Sequence, residues 1–323
     1  MIRLFANANY DFLRVRRASY LASLAFTAIG LGVLAIRGLN ESIEFTGGTL
    51  IQVHATDEAI HTATIRDALA TAGITGAEIQ TFGAPNEFVI RAFIRSEDEA
   101  AGLSTQETRA AVETALLETF GQGSFEIARA EAVSAKVGSE LRTKAMFAVL
   151  MSFAATLVYL TVRFEWRFGV AAIAATAHDI IATIAFIAFM NLEVSLVIVA
   201  AVLTIVGYSL NDTIVVFDRV RENLRKYKRQ NIYEVLNRSV NETLPRTVLT
   251  GVTTMVATLA LLIFGGEVIR GFAWVMTFGI VIGTFSSIYI ASPVLLAVER
   301  RWPGEDIRGT RALTTAQPVH QTV

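Results

Sequence analysis

The sequence predicts an α-helical polytopic membrane protein with six transmembrane helices and an α+β domain inserted between the first and second helices. Hydrophobic residues make up 53% of the 323 residues and charged residues only 18%, which is too apolar for an ordinary soluble domain. Six apolar runs are long enough, or nearly so, to cross about 30 Å of hydrocarbon, which takes about 20 helical residues. We expect the helices at 19–36, 145–162, 168–190, 194–217, 248–264 and 271–298.

The first apolar run stands alone, whereas the other five form a continuous block. Arg16 and Arg17 precede it, as basic residues would precede a signal peptide. The run is longer than a typical signal-peptide core, and no clear A-x-A cleavage site follows it. We therefore expect an uncleaved first helix behind a cytoplasmic N-terminal tail at 1–18.

Residues 37–144 have the pattern of a small α+β domain. They contain nine Lys and Arg against 16 Asp and Glu, whereas the rest of the chain is basic. Strand-like runs alternate with two helical segments, and the Gly-Ala-Pro-Asn sequence at 83–86 indicates a hairpin turn between two of the strands. The resulting order β-α-β-β-α-β predicts a ferredoxin-like fold.

Lysine and arginine in the short connections predict the orientation of the chain in the membrane. They concentrate in the N-terminal tail, between the second and third runs, in segment 218–246 and in the C-terminal tail at 299–323. The alternate connections at 191–193 and 265–270 contain a single arginine between them. We therefore expect cytoplasmic termini, a basic cytoplasmic loop at 218–246 and an extracytoplasmic domain at 37–144.

Two charges lie at the edges of neighbouring apolar runs. Asp212 is near the end of the fourth run and Arg246 opens the fifth. A charge inside a hydrophobic run costs several kcal/mol unless it finds a partner or water, so this acid and base predict a functional pair. The alternative is that both are helix-end charges that snorkel to the membrane surface and only anchor the helices.

His178 and Asp179 form a second ionisable pair in the middle of the third run. About ten residues, or roughly 15 Å of helix, separate them from the cytoplasmic edge. The pair indicates either a functional site near the bilayer centre or an interhelical hydrogen bond that only supports packing.

Small residues on the last two helices indicate how these helices pack. Threonines recur on one face of the fifth helix and continue the line from Arg246, either lining a hydrated path or packing against a neighbour. These threonines are Thr247, Thr250, Thr254 and Thr258. Gly279 and Gly283 in the sixth helix form a G-x-x-x-G pattern, which favours close helix packing.

Several chemistries are excluded by what the sequence lacks. The chain has no cysteine, which excludes disulfides, thiol catalysis and cysteine-based metal sites. It contains no H-E-x-x-H, G-x-G-D or G-x-S-x-G motif of an intramembrane hydrolase, and residues 37–144 contain no nucleotide-binding loop. We predict no enzyme activity, no cofactor, no metal and no nucleic-acid partner.

Spaced motifs along nearly the whole chain resemble the SecF family, the smaller subunits of SecD–SecF translocation complexes in the RND superfamily. Residues 44–49 read E-F-T-G-G-T, residues 137–141 read V-G-S-E-L and residues 177–179 read A-H-D. Residues 207–223 read G-Y-S-L-N-D-T-I-V-V-F-D-R-V-R-E-N, and residues 239–247 read S-V-N-E-T-L-P-R-T. Each motif occupies the topological position that it has in the family.

The resemblance implies a half-transporter that pairs with a SecD-like subunit and uses the proton-motive force to help draw preproteins out of the Sec channel. By motif position, Asp212 and Arg246 would belong to the proton relay, with Asn211, His178 and Asp179 as supporting candidates. The implied partners in the bacterial inner membrane are the SecD-like subunit, the SecYEG channel, the translocating preprotein and membrane lipid, with YajC as a further candidate.

Two other functions remain open at this point. The chain could be half of another RND-type proton-coupled exporter, or a non-transporting scaffold for the translocon. The driving ion is also open between H⁺ and Na⁺, because a membrane carboxylate with hydroxyl neighbours can bind either.

Overall fold

The computed structural model describes residues 5, 8–57, 60–74, 77–92 and 105–302. Most of the predicted C-terminal tail, 303–323, and part of the N-terminal tail therefore lie outside the described residues. In chain order the elements are a 3₁₀ turn (Phe12–Val15), α1 (Arg16–Arg37), β1 (Asn40–Glu41), α2 (Ile43–Thr46), β2 (Gly48–Ala55), α3 (Thr62–Thr71), β3 (Glu78–Phe82), β4 (Ala84–Ala92), α4 (Thr105–Phe120), β5 (Phe125–Val133), α5 (Ala135–Arg163), α6 (Trp166–Phe189), β6 (Glu193–Val194), α7 (Leu196–Lys226), α8 (Ile232–Phe264), α9 (Gly266–Ser286), a π-helical turn (Ser287–Ala291) and α10 (Ser292–Arg301).

Six helical segments of the described chain are long and apolar enough to cross a membrane, which agrees with the predicted number. They are α1, α5, α6, α7, α8 and the rod that α9 forms with the π turn and α10. In the most apolar 18-residue stretch of each segment, half of the residues are buried in α6 and in α7 and 61% in the last rod. The corresponding share is 6% in α1 and in α5. The bundle is therefore built around α6, α7 and α9, and α1 and α5 lie at its edge.

The prediction of a loop at 218–246 is wrong. Helix α7 continues to Lys226 and α8 already begins at Ile232, so the connection is only residues 227–231. The many charges suggested a loop, but apolar residues at helical spacing are buried between the two helix ends. These residues are Val220, Leu224, Val235, Leu236 and Val240. Arg246, which was predicted to open the fifth apolar run, therefore lies inside helix α8.

Polar contacts also join the extended ends of α7 and α8. The side-chain amide of Asn223 donates to the Ser239 hydroxyl at 3.0 Å and to Glu242 Oε2 at 2.7 Å. Glu242 also pairs with Arg219 at 2.6 Å. The two helices therefore remain packed well beyond their apolar segments.

The described part of the N-terminal tail is packed against this same helix pair. The backbone N–H of Tyr10 donates to Asn241 Oδ1 at 2.8 Å, and that of Phe12 donates to Asn237 Oδ1 at 2.9 Å. Leu13 is fully buried in the largest apolar cluster of the bundle. The segment before α1 therefore contributes to the core of the membrane part.

Strands β2 to β5 form one antiparallel sheet in the order β3-β4-β2-β5, with α3 and α4 in its connections. This is the predicted order of strands and helices. Alternate residues of β2 are buried, which matches a strand with one covered face. The core between sheet and helices includes Ile51, Val53, Ile65, Leu69, Phe88, Ile90, Val112 and Leu116.

Two predicted boundaries of this domain differ in the structure. Phe82 pairs directly with Ala84, so Gly83 alone makes the turn that was predicted for 83–86. Gly83 has φ 78°, a conformation that glycine adopts without steric cost. The domain also ends before residue 144. Helix α5 begins at Ala135 and runs without a break into the second membrane helix.

A joint that the sequence did not predict connects the domain to the membrane part. Strand β1 pairs in parallel with β6, which places Asn40 beside Glu193. Arg91 of β4 is only 4% exposed and forms an ion pair with Glu193, and it lies 3.4 Å from Glu78. The sheet is therefore tied to the α6–α7 connection through one buried guanidinium.

The F-T-G-G-T and V-G-S-E-L motifs pack directly against each other in this joint. A Cβ atom at Gly138 of α5 would lie 2.9 Å from the carbonyl oxygen of Phe45 and 3.0 Å from the nitrogen of Gly47. Gly47 itself has φ 78°, in the region that favours glycine. Both glycines are therefore required for helix α5 to approach the turn this closely.

Candidate functional site

Asp179 of α6 is at the centre of a buried polar cluster that joins three helices. Its side chain is 1% exposed. Oδ1 lies 2.9 Å from Nδ1 of His178, and Oδ2 accepts hydrogen bonds from the Ser209 hydroxyl of α7 and from Ser286 of α9, the latter at 2.7 Å. This carboxylate therefore has hydrogen-bond partners on both oxygens.

His178 extends the cluster to the first helix. Its Nε2 lies 2.5 Å from the hydroxyl of Ser23 in α1. When Nδ1 donates to Asp179, Nε2 of the neutral ring can accept the Ser23 proton, and in the charged ring both nitrogens donate. A chain of hydrogen bonds therefore runs from α1 through α6 to α7 and α9.

The π-helical turn lies directly beside this cluster. Ser287, its first residue, donates to the Gly283 carbonyl at 3.0 Å and contacts Thr213 Oγ1 of α7 at 2.9 Å. Single π-helical turns inside α-helices occur frequently at functional sites. Here the turn brings two consecutive hydroxyls, those of Ser286 and Ser287, against α6 and α7.

Asp212 has a different environment, although it is only one helical turn from Ser209. Its side chain is 3% exposed. The Thr247 hydroxyl of α8 donates to Oδ1 at 3.3 Å, and Oδ2 has no hydrogen-bond partner among the described residues. Asp212 is therefore a buried carboxyl group with one long hydrogen bond, in contrast to Asp179.

Asp212 and Arg246, the predicted functional pair, do not form a direct ion pair in this structure. Within the described residues no ion pair of 4.0 Å or less joins the two side chains, although Thr247, the neighbour of Arg246, reaches Asp212. Arg246 and Asn211 are both exposed, and Asn211 makes no hydrogen bond to Asp212. Both polar side chains thus point away from this chain's own core.

The two small-residue patterns occur at helix contacts. Thr247 and Thr258 are buried, so the threonine face of α8 is turned toward the protein at both ends. A Cβ at Gly279 would overlap Ile205, and one at Gly283 would lie 3.0 Å from Ser209 Cβ. The G-x-x-x-G pattern therefore allows close helix packing, as predicted, and the structure shows that the partner is α7.

Sequence reasoning identified the ionisable residues but missed most of the hydroxyl groups in and beside their cluster. Serine and threonine are common in membrane helices and pack there without any functional role, so a single hydroxyl carries little signal. The tandem at 286–287 inside an otherwise apolar run was the one local signal available. The missed residues are Ser23, Ser209, Thr213, Ser286 and Ser287.

The residues that the structure describes contain no group of three or more His, Asp or Glu side chains arranged to hold a metal ion. The site has instead the composition of a proton or monovalent-cation path, with single carboxylates, one imidazole and hydroxyl groups. Carboxylate, imidazole and hydroxyl groups are chemically able to exchange protons or to coordinate small cations.

Comparisons with protein families match two parts of the chain. Residues 112–301 match the model described as protein export membrane protein SecD/SecF, C-terminal, and residues 32–59 match the SecD/SecF GG motif. A protein translocase subunit SecF of Gemmatimonas aurantiaca is 52% identical over 100% of this chain and 97% of the relative. The SecF of Rickettsia akari is 40% identical, over 93% of this chain and 96% of the relative.

Solved structures show the same similarity in three dimensions. The crystal structure of SecDF, a translocon-associated membrane protein from Thermus thermophilus, matches 91% of this chain with a TM-score of 0.80 and 36% identity. SecDF in a super-membrane-facing form matches the same share with a TM-score of 0.66. The chain spans 39% of the SecDF polypeptide in both cases.

Proposed function

The chain belongs to the SecD/SecF family of protein export membrane proteins, and from this premise we propose that it is the SecF-type subunit of a proton-driven SecD–SecF complex. In this role it assists the translocation and release of preproteins through the Sec channel. The observation that carries the proposal is the unequal environment of the two buried acids, Asp179 and Asp212.

Asp212 has the environment of a group that changes its protonation state. A buried carboxylate with one 3.3 Å hydrogen bond is costly in its charged form, because the second oxygen has no donor among the described residues. It becomes stable either by taking a proton or by gaining a cationic partner. Arg246 cannot lose its charge in practice, so protonation of Asp212 releases the arginine and deprotonation attracts it.

Asp179 has the environment of a fixed relay element. It lies 10 residues from the end of α6, or about 15 Å from the membrane face where α6 ends, whereas Asp212 lies about 24 Å from that face along α7. Ser209 contacts Asp179 and lies one turn before Asp212 on the same side of α7. The cluster of His178, Asp179 and serines thus offers a path that leads toward Asp212.

The exposed polar side chains support a heterodimer. Arg246 and Asn211 point out of this chain, where lipid would leave them unpaired at a cost of several kcal/mol. A SecD-like subunit that covers this face would supply a partner for the arginine. The larger SecDF polypeptide, of which this chain matches 39%, supports such an arrangement.

We assign the remaining features on the same basis. The antiparallel sheet order and two helices fit a ferredoxin-like domain, which lies on the extracytoplasmic side if the basic termini are cytoplasmic. The protein is then a multi-pass component of the bacterial inner membrane that contacts SecYEG and the preprotein, with YajC as a further candidate. It acts as a transport subunit without an enzymatic reaction.

Preprotein release from vesicles under an imposed pH gradient tests this function. Asp212→Asn fixes the neutral state with almost the same shape, and we expect it to abolish gradient-stimulated release while the complex assembles normally. Asp218→Asn makes the same change on α7, at an exposed acid that pairs with Arg163 at 3.4 Å, and should release preprotein like the wild type.

Running the same assay with a sodium gradient identifies the driving ion. A response to pH alone supports proton coupling, and a response to sodium alone assigns Na⁺ instead. If Asp212→Asn and the wild type release preprotein equally well under both gradients, Asp212 is a helix-end anchor and the proposed relay is wrong.

A further inference from the structure

We propose that the cavity between the start of α1 and the end of α10 binds the phosphate headgroup of an anionic phospholipid. The cavity has a volume of about 350 Å³ and is lined by Arg16 and Tyr20 of α1 and by Arg300 and Arg301 of α10. The proposal concerns a site separate from the buried acids and does not depend on their role.

The three arginines of the cavity lack carboxylate partners in the part of the chain that the structure describes. The nearby acid Glu299 pairs with Arg167 at 3.2 Å, and among the described residues no ion pair of 4.0 Å or less involves Arg16, Arg300 or Arg301. Three guanidinium groups around one cavity repel each other unless an anion lies between them. The guanidinium fork binds phosphate oxygens with two parallel hydrogen bonds, which makes phosphate the best-matched anion.

Aromatic residues place this cavity at headgroup depth. Trp166 at the start of α6 and Trp302 at the end of α10 are 52% and 54% exposed and contact each other edge to face at 5.9 Å. Exposed Trp and Tyr side chains concentrate at the membrane–water interface. An anion that binds beside Trp302 is therefore within reach of the membrane leaflet.

The cavity walls also fit a lipid better than a free ion. Apolar side chains from α10, including Pro293 and Leu296, form the side that faces the bundle, and the Tyr20 ring is 36% exposed beside Arg16. A phospholipid can place its phosphate on the arginines and its glycerol and upper acyl carbons against this apolar wall. Basic pockets between membrane helices are known to bind anionic headgroups in this way.

Occupation of the cavity would link α1 to the rest of the bundle. Helix α1 packs on the bundle along one side, where Gly30 lies against Ala185 of α6, and most of its remaining surface is exposed. Arg16, Tyr20 and Ser23 lie on one face of α1 at intervals of four and three residues. A lipid bound at Arg16 would therefore fix the same helix face that presents Ser23 to His178.

Native mass spectrometry of the full-length chain, with phosphatidylglycerol, cardiolipin or phosphatidylethanolamine added at equal concentration, tests the proposal. We expect the wild type to retain the two anionic lipids and not phosphatidylethanolamine. Replacing Arg300 and Arg301 by Gln should reduce retention by at least about tenfold, since two charge-assisted hydrogen bonds are lost. Replacing both by Lys keeps the charge and should give an intermediate value.

A matched control separates this site from general charge attraction. Replacing Arg225 and Lys228 by Gln removes the same charge from two exposed residues that do not line the cavity, and should leave retention unchanged. Equal loss in this control, or equal retention of phosphatidylethanolamine, would overturn the proposal. Competition by millimolar inorganic phosphate would assign the cavity to a free ion. If lipid binds only after residues 303–323 are removed, the C-terminal tail occupies the cavity in the intact chain and the lipid proposal is wrong.

Discussion

The Ser286 hydroxyl donates to Asp179 Oδ2 across 2.7 Å and joins α9 to α6 at the centre of the bundle. Ser209 donates to the same oxygen from α7, so one carboxylate oxygen connects the three most buried helices. The arrangement makes Asp179 a structural element as well as a relay candidate. Its two roles can be separated by comparing stability with transport.

For stability, we expect Ser286→Ala to cost about 0.6 kcal/mol and at most about 1.7 kcal/mol, the mean and the largest value measured for hydrogen bonds between membrane helices. Asp179→Ala should cost more, because it leaves Ser209, Ser286 and His178 without their acceptor. Thermal unfolding of the purified chain measures both. Ser152→Ala on α5 is the control, since Ser152 makes no hydrogen bond in the described structure, and an Asp179→Ala protein as stable as the wild type would contradict the prediction.

Breaking the Arg91–Glu193 pair should loosen the domain from the membrane part. Arg91 is buried and Glu193 is partly exposed, so we expect Arg91→Met to destabilise the joint by about 1–3 kcal/mol, below the cost of a fully buried pair. Hydrogen exchange at β1 and β6 should increase. Arg129→Met removes an exposed ion pair with Glu131 from the same sheet and should leave that exchange unchanged.

Adding one methyl group at Gly138 should separate α5 from the F-T-G-G-T turn. A Cβ there would lie 2.9 Å from a backbone carbonyl oxygen, which cannot move away as a side chain could. We expect Gly138→Ala to lower the melting temperature measurably, by overpacking. Gly169→Ala on α6, where nothing lies within 4 Å, should be neutral or slightly stabilising. Equal melting temperatures for the two variants would refute the close contact.

Substitutions at Arg246 test whether its shape or only its charge is required. Lys keeps the charge and loses the planar fork, so Arg246→Lys should reduce gradient-stimulated preprotein release without abolishing it. Arg246→Met leaves Asp212 without a cationic partner and should be as damaging as Asp212→Asn. Release is compared at matched levels of assembled complex. A lysine variant with full activity would favour a simple membrane anchor.

Cysteine labelling should establish the orientation, because the native chain contains no cysteine. We expect a cysteine in place of Thr71, which is exposed on α3, to react only with reagent added outside the cell. A cysteine in place of Lys228, in the short α7–α8 connection, should react only from the cytoplasmic side. The reverse pattern would overturn the orientation drawn from the basic residues.

Much of the fold could be predicted because apolar length is a local property. The six spans, the order of the inserted domain and the close packing at Gly279 and Gly283 followed from patterns within a few residues. The helical nature of segment 218–246 was missed because charged residues hid a buried apolar stripe. The prediction of Arg246 at a helix start failed for the same reason.

The partners of the acids could not be predicted, because they lie far apart in the sequence. Ser286 is 107 residues from Asp179, and Ser23 is 155 residues from His178. Hydropathy gives each helix a depth and a length but leaves its rotation and its neighbours undetermined. The β1–β6 pairing could not be predicted either, because its two strands are far apart in the sequence. Each strand also has only two residues, which is too short for a recognisable pattern.

The π-helical turn at Ser287–Ala291 sets the rotational phase of the last membrane rod. In an uninterrupted α-helix, Ser286 and Arg300 would project only about 40° apart, since fourteen residues nearly complete four turns. One extra residue in the turn changes that angle to about 140°. The same rod can therefore direct hydroxyls inward at Asp179 and arginines outward at the membrane surface. Deleting a single residue from the turn would rotate Arg300 by about 100° relative to Ser286, with almost no change in composition or hydropathy.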